Sequence, residues 1–361
     1  MNKKIVGIVV FGLLISTALP ALGIINEKTN KKSSEIVGDR GYLFMQLPDS
    51  SPNTWTSNDY MGYYCYDDFW WNVSNPICDI HWWGKCMEYV GNIWYPRDPT
   101  GMLFNISFYE DDNGTPGALV YSYNDVAPSI TWTGIFLNYH VPGSPYWCEL
   151  YYFEYDLEPC LELSNGWVSI YSSYHPTEAG FNWKTSLDGN IKLFQYDSIY
   201  NQWYQHSYDL AFILTDGEED PIPDLECDGS LSWDKVKSGA NVTGNFTVRN
   251  NGDAGSILHW KVDESSIPSW GSNWTFNPNA SILTIGSGWI TVEVNVTAPE
   301  EKGEYTGKIK VVNAVDPSDY CEIDVYLKKP RSRPIYNTLL LQLFERFSNA
   351  FPILRQLLRL Y

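Results

Sequence analysis

Two adjacent tryptophan pairs, Trp70-Trp71 and Trp82-Trp83, stand close together in the chain, with Trp94 and Trp132 following. An exposed indole stacks on the apolar C–H face of a sugar, so the two pairs are the candidate ligand-binding residues and glycan contact is their chemistry. Neighbours on a strand point to opposite faces, so at most one of each pair belongs to a core. Packing inside a β-sandwich is the commoner use of such rings. The run Glu110-Asp111-Asp112-Asn113-Gly114 offers clustered oxygen ligands. It lacks the alternating acids and closing bidentate carboxylate of a calcium loop, and it reads as a hairpin turn.

Catalytic patterns are sparse. The five histidines, His81, His140, His175, His206 and His259, show no H-x-x-x-H or H-E-x-x-H spacing. No C-x-x-C pair supports a zinc ribbon or a thioredoxin-like redox site, and no G-x-S-x-G supports a serine hydrolase. Glu110, Glu149 and Glu154 are the acids from which a glycosidase pair would be drawn, and their separation in space is not visible in sequence. The expectation is a chain that is not an enzyme and takes no cofactor and no metal.

The formal charge of −19 is unevenly spread. Residues 328–361 carry a net +6, which leaves −25 on the remainder. An acidic body of that size repels phosphates and argues against a nucleic-acid partner. At the amino terminus, Lys3 and Lys4 precede an apolar run over 5–19, then Pro20 and the small-residue site Ala21-Leu22-Gly23. This is the pattern of a secretory signal peptide over 1–23 and predicts a secreted or cell-surface protein.

Export gives the seven cysteines meaning, because disulfides persist outside the cell. Cys227 and Cys321 share the inward phase of the first and last strands of one region and are expected to pair. Among the earlier five, the adopted assignment is Cys78 with Cys86 and Cys148 with Cys160, leaving Cys65 over, although spacing does not fix connectivity. Eight N-x-S/T sequons, at Asn72, Asn105, Asn113, Asn241, Asn245, Asn273, Asn279 and Asn295, are candidate glycosylation sites on an exported chain.

The elements that must position these residues are short strands. Aromatics, glycine and proline are abundant and helix-favouring blocks are scarce, which predicts an all-β protein. A polar lead-in over 24–40 precedes an aromatic-rich sandwich, jelly-roll-like, over 41–217. Within it Phe104, Ile106 and Phe108 alternate with polar residues before the Asp112-Asn113-Gly114 turn, and further strands are expected near 148–157, 167–173, 191–196 and 208–214. An acidic, proline-punctuated linker over 218–224 leads to a second sandwich over 225–328. There Val292, Val294 and Val296 alternate with Glu293, Asn295 and Thr297, and Ile323, Val325 and Leu327 with Glu322, Asp324 and Tyr326. That regularity predicts an immunoglobulin-like sandwich of about seven strands. The tail over 329–361 changes character. Leu339, Leu340, Leu343, Phe344 and Phe347, then Leu354, Leu357, Leu358 and Tyr361, recur at helical spacing among basic residues. They predict an amphipathic helical tail suited to a membrane surface, through 335–361, or to packing on a partner or on its own chain.

Three segments resemble secreted archaeal, chiefly euryarchaeal, β-sandwich surface proteins of unassigned function. One comprises Asp67-Asp68-Phe69, Ile77-Cys78-Asp79-Ile80-His81-Trp82-Trp83-Gly84, the stretch from Phe108 to Gly117, and Tyr208-Asp209-Leu210-Ala211-Phe212. Another, from Leu231-Ser232-Trp233 through Gly244-Asn245-Phe246-Thr247-Val248 to Leu258-His259-Trp260, is similar to BACON-type or CARDB-type modules. The third is the tail, Leu343-Phe344-Glu345-Arg346-Phe347-Ser348-Asn349-Ala350-Phe351-Pro352-Ile353-Leu354-Arg355, in which Ser348 stands where the pattern carries proline. The resemblance implies contact with carbohydrate or glycoprotein for the module, and a sorting, anchoring or assembly role for the tail. Fold alone licenses no activity. The reading is a non-catalytic surface protein with an adhesive or structural role, its partners cell-envelope components or glycans. Its alternative is a carbohydrate-binding protein using the four tryptophans, and a hydrolase stands third.

Overall fold

The computed structural model describes residues 42–71, 75–138, 147–217 and 221–329. The segments expected as signal peptide and lead-in, Asn72, His140 and the segment from residue 330 onward, expected as a helical tail, lie outside the described residues. What is described is nearly all β, with two short 3-10 turns and no α-helix among the described residues.

The first sandwich packs a nine-stranded antiparallel sheet on a six-stranded one. At the centre of the larger sheet lies Ile77–Val90, paired with Trp147–Leu161, Phe212–Thr215 and Gly180–Ser186. The smaller sheet runs in the order Gln202–His206, Leu193–Asp197, Tyr63–Trp70, Asn165–Tyr174, Leu103–Asp111, Pro116–Val126. Period two sends alternate side chains to the core: Ile80 and Trp82 from one sheet meet Phe104, Ile106, Phe108, Val168 and Ile170 from the other. The jelly-roll-like expectation is met only as two packed antiparallel sheets.

The second sandwich has nine strands rather than about seven. Leu225–Asp228, Asn241–Asn250, Ile290–Thr297 and Ser272–Asn277 form one sheet. Leu231–Trp233, Tyr320–Lys328, Glu304–Asn313, Ile257–Val262 and Ala280–Thr284 form the other, with Leu231–Trp233 parallel to Tyr320–Lys328. Val292, Val294, Val296, Ile323, Val325 and Leu327 are buried, and Glu293, Asn295, Glu322 and Asp324 are exposed. The Cys227–Cys321 disulfide joins the two sheets across 94 residues. A loop of that length gives roughly 4–5 kcal/mol of stabilisation in the chain-entropy picture.

The other cysteine assignment is corrected. Cys78 pairs with Cys160, and Cys86, Cys148 and Cys65 are buried free thiols. The reason is strand length. Cys78 and Cys86 lie on one extended strand and Cys148 and Cys160 on another, so each assigned pair is separated by about 26 and 40 Å of chain, far beyond bridging distance. Register instead sets Ile77 opposite Leu161, bringing Cys78 beside Cys160 with their Cα atoms 4.3 Å apart.

Domain boundaries shift slightly. Residues 221–224 are tied to the second sandwich, where the Ile222 and Asp224 carbonyls accept from the backbone N–H groups of Asp253 and Asn251. Lys329, assigned to the tail, is buried in the second sandwich, and its Nζ donates to Ser238 Oγ at 3.0 Å and to the Pro299 carbonyl.

The two sandwiches meet over the outward face of the nine-stranded sheet. Trp83, Leu137, Leu150, Ala211 and Ile213 pack with Ile257 and Ile282 of the second sandwich. Trp83 Nε1 donates to His259 Nε2 at 3.1 Å, and Lys261 Nζ lies 4.3 Å from the centroid of the Trp132 ring. Gly134 has φ +81°, and a Cβ there would stand 2.7 Å from Lys261 Cβ. Only glycine permits that backbone and that approach.

Candidate functional site

The four tryptophans separate by strand phase. Trp82 is fully buried, stacked on Phe153 at 5.4 Å and edge-on to Phe104. Trp83 points the other way but is equally buried, because the second sandwich covers it. Neither can stack on a glycan, so the expected platform loses half its members. Trp71 is half-buried against Phe69, and Trp70 is 41% exposed beside Phe44. Trp70 alone of the four stays open to a ligand.

An aromatic surface exists elsewhere. The outward face of the six-stranded sheet carries Tyr64 and Tyr66, then Trp167 and Tyr171, Tyr109, Phe194 and Tyr196, and Trp203, each from the strand phase opposite the core. Their rings form one continuous set. Trp203 lies 4.9 Å from Tyr66 and 5.0 Å from Tyr196. Tyr64 meets Tyr171 edge-on at 4.6 Å, and Tyr66 meets Tyr109 at 5.3 Å. Trp203 is 47% exposed, and Tyr64, Tyr109, Tyr171, Phe194 and Tyr196 are half-buried. Cross-strand aromatic pairs of this kind hold the rings in place before any ligand arrives.

Polar groups edge these rings. Asn105 Nδ2 donates to the Tyr171 hydroxyl at 3.0 Å, and Asn105 Oδ1 accepts from the Asp125 backbone N–H at 2.7 Å. Ser173 Oγ donates to Asp125 at 2.7 Å. Burial, and then the bonded Asp59 carboxylate, push the Tyr64 hydroxyl up to about 12, so it remains a neutral donor. At the other end Lys192 lies over the Trp167 and Phe194 rings at 5.3 and 5.4 Å. The Asp111 carboxylate takes Trp167 Nε1 at 2.9 Å and caps the Gly114 N–H at 3.0 Å. Asn113 and Gly114 have φ of 53° and 81°, so the acidic run is a turn between paired strands whose carboxylate is spent on that turn.

Of the candidate glycosidase acids, Glu149 and Glu154 do not converge. Glu149 and Glu154 lie five residues apart on one strand, about 17 Å by strand rise and on opposite faces. A catalytic carboxyl pair stands no more than about 9.5 Å apart. Of the sequons, Asn113, Asn241, Asn245, Asn273, Asn279 and Asn295 are exposed and Asn105 is half-buried. One set of potential metal ligands is gathered among the described residues, Asp79, His81 and Glu154 at the sandwich junction. Sequence spacing concealed it because its members come from two strands.

No family profile matches the chain, and no curated protein matches it. Among solved structures it is similar to the ASH/PapD-like domain 7 of human CEP192, at 11% identity and TM-score 0.24 over 30% of this chain and 87% of that one. It is similar also to domains 4 and 5 of the S-layer protein SbsC, at 10% identity and TM-score 0.19 over 38% of this chain and 65% of that one. A protein of unknown function from Porphyromonas gingivalis W83 matches at 10% identity and TM-score 0.22, over 65% of this chain and 88% of that one. Likenesses of this degree carry no argument about what this chain does.

Proposed function

We propose that the chain is a non-catalytic, exported surface protein that makes adhesive contact with neutral glycans through the outward face of its six-stranded sheet. One observation carries the reading: a preset array of rings around Trp203, Tyr196 and Tyr64, edged by hydroxyl, amide and carboxylate groups. Rings take the C–H faces of a sugar and the edge takes its hydroxyls. The strongly acidic body disfavours polyanions, which selects uncharged saccharides. Two disulfides support an extracytoplasmic setting. In this reading the second sandwich is a rigid mount and the basic tail, 335–361, holds the chain to the cell envelope.

The test is retention of the purified chain on immobilised neutral polysaccharides. Wild type is retained, and Trp203→Ala with Tyr196→Ala loses retention at least tenfold while remaining folded by near-UV circular dichroism. If wild type is retained on none, the adhesive reading fails and a purely structural role stands. Cell fractionation with and without 335–361 tests the tail: release of the shortened chain supports anchoring.

A further inference from the structure

The cluster at the sandwich junction follows from strand register. His81 is paired directly with Glu154 on the adjacent antiparallel strand, and Asp79 stands two residues before His81. Period two therefore places all three on the outward face of the nine-stranded sheet. Their ligating atoms all lie within 4.8 Å of one another. Asp79 and His81 are buried and Glu154 is half-buried.

A tetrahedral ion with bonds near 2.0–2.2 Å needs its ligand atoms about 3.3–3.6 Å apart. His81 Nε2 already lies 3.4 Å from Asp79 Oδ2. The other ring nitrogen, Nδ1, is 2.5 Å from the Tyr152 hydroxyl, which sets the ring orientation and turns Nε2 toward Asp79.

A second observation comes from the other sandwich. His259 is 2% exposed, and its Nε2 accepts from Trp83, so the ring proton resides on Nδ1. That Nδ1 has no hydrogen-bond partner. His259 lines a cleft of about 250 Å³ together with Tyr152, Glu154, Asn313 and Asp319. A buried donor with no acceptor is destabilising, and a water held on an ion in this cleft would supply the acceptor.

The geometry points to a divalent-metal site of the zinc class at the junction, held by Asp79, His81 and Glu154, with a water on the remaining position and His259 as its donor. One imidazole and two carboxylates suit zinc, whereas calcium takes six to eight oxygens. Occupancy would lock the two sandwiches together, because the ligands and the water's partner belong to different sandwiches.

The experiment uses the full, untagged chain, stripped with chelator, equilibrated with Zn2+ or Ca2+, desalted, and assayed for bound metal and thermal midpoint. The expected result is one zinc per chain and a midpoint raised by several degrees. Glu154→Gln and Asp79→Asn lose the zinc, and His259→Gln keeps the stoichiometry but weakens affinity about 10–100-fold. Cobalt loading gives tetrahedral visible bands in wild type and none in Glu154→Gln, a readout of coordination rather than of stability. Near-UV circular dichroism confirms that the variants fold. Folded wild type without zinc, equal retention by Glu154→Gln, or binding of calcium alone overturns the site.

Discussion

The first sandwich has two outward faces built by the same alternation, and they meet different fates. On Ile77–Val90 the outward row is Asp79, His81, Trp83, Lys85 and Met87, all buried. On Tyr63–Trp70 it is Tyr64, Tyr66, Asp68 and Trp70, which runs from buried to exposed. The covered face is sealed by a second sandwich through an indole hydrogen bond, a cation–π contact and an apolar patch. The open face keeps hydroxyls and amides among its rings. Aromatic content therefore does not tell a platform from a junction. What separates them is whether another element can bury the face and still satisfy its polar atoms.

The contrast can be broken hardest at Trp83. Trp83→Ala removes a fully buried indole and leaves His259 Nε2 without its donor, so a loss of about 3–5 kcal/mol in urea unfolding is expected. Small-angle scattering should show the sandwiches separating. An unchanged profile would mean that the junction rests on other contacts.

Gly134→Val drives a Cβ into Lys261 at a left-handed backbone position. Destabilisation of about 1–3 kcal/mol follows, with faster proteolysis between the sandwiches as the check. Lys261→Met keeps the stem but removes the charge over Trp132. The expected loss is about 0.5–2 kcal/mol, read from the shift in denaturation midpoint.

On the open face the same measurement should move less than at Trp83. Trp203→Ala costs about 1 kcal/mol through its lost ring pairs with Tyr66 and Tyr196, while glycan retention falls. A large stability loss there would show that the face is covered after all.

The smallest effect concerns pH. Burial first, then the Asp209 charge, raise the Asp68 carboxyl from 3.8 to about 6, against a bond from Asn190 that lowers it. A raised acid favours the fold in its protonated form, so its contribution is complete below pH 3.8 and is lost as pH rises through about 6. Asp68→Asn should therefore gain stability relative to wild type between pH 4 and 7. The difference between variants is the quantity to measure, because His81 and His259, both lowered to about 3 by burial, act in the opposite sense. A difference that shrinks with rising pH would reverse the assignment.

Much of the second sandwich was legible. Its alternation is strict, and Cys227 and Cys321 carry the inward phase, so their pairing followed from the pattern. The first sandwich was less so. Long strands such as Ile77–Val90 and Trp147–Leu161 carry cysteines at both ends, and proximity in sequence there means separation in space. The aromatic face was missed because its rings come from strands spread over about 140 residues, each contributing only one or two.

The amino-acid sequence by itself determined the class of the fold, the two-sandwich division, the phase of the regular strands and the acidic net charge. Those properties are local or additive, set by alternation and by charge. Tertiary structure alone decided which outward face is covered, which cysteines meet and which carboxylates gather around His81. Each of these depends on register between strands far apart in the chain and on one sandwich docking on the other. A period of two says only that a side chain faces away from its core, and the partner it then meets is set by the rest of the fold.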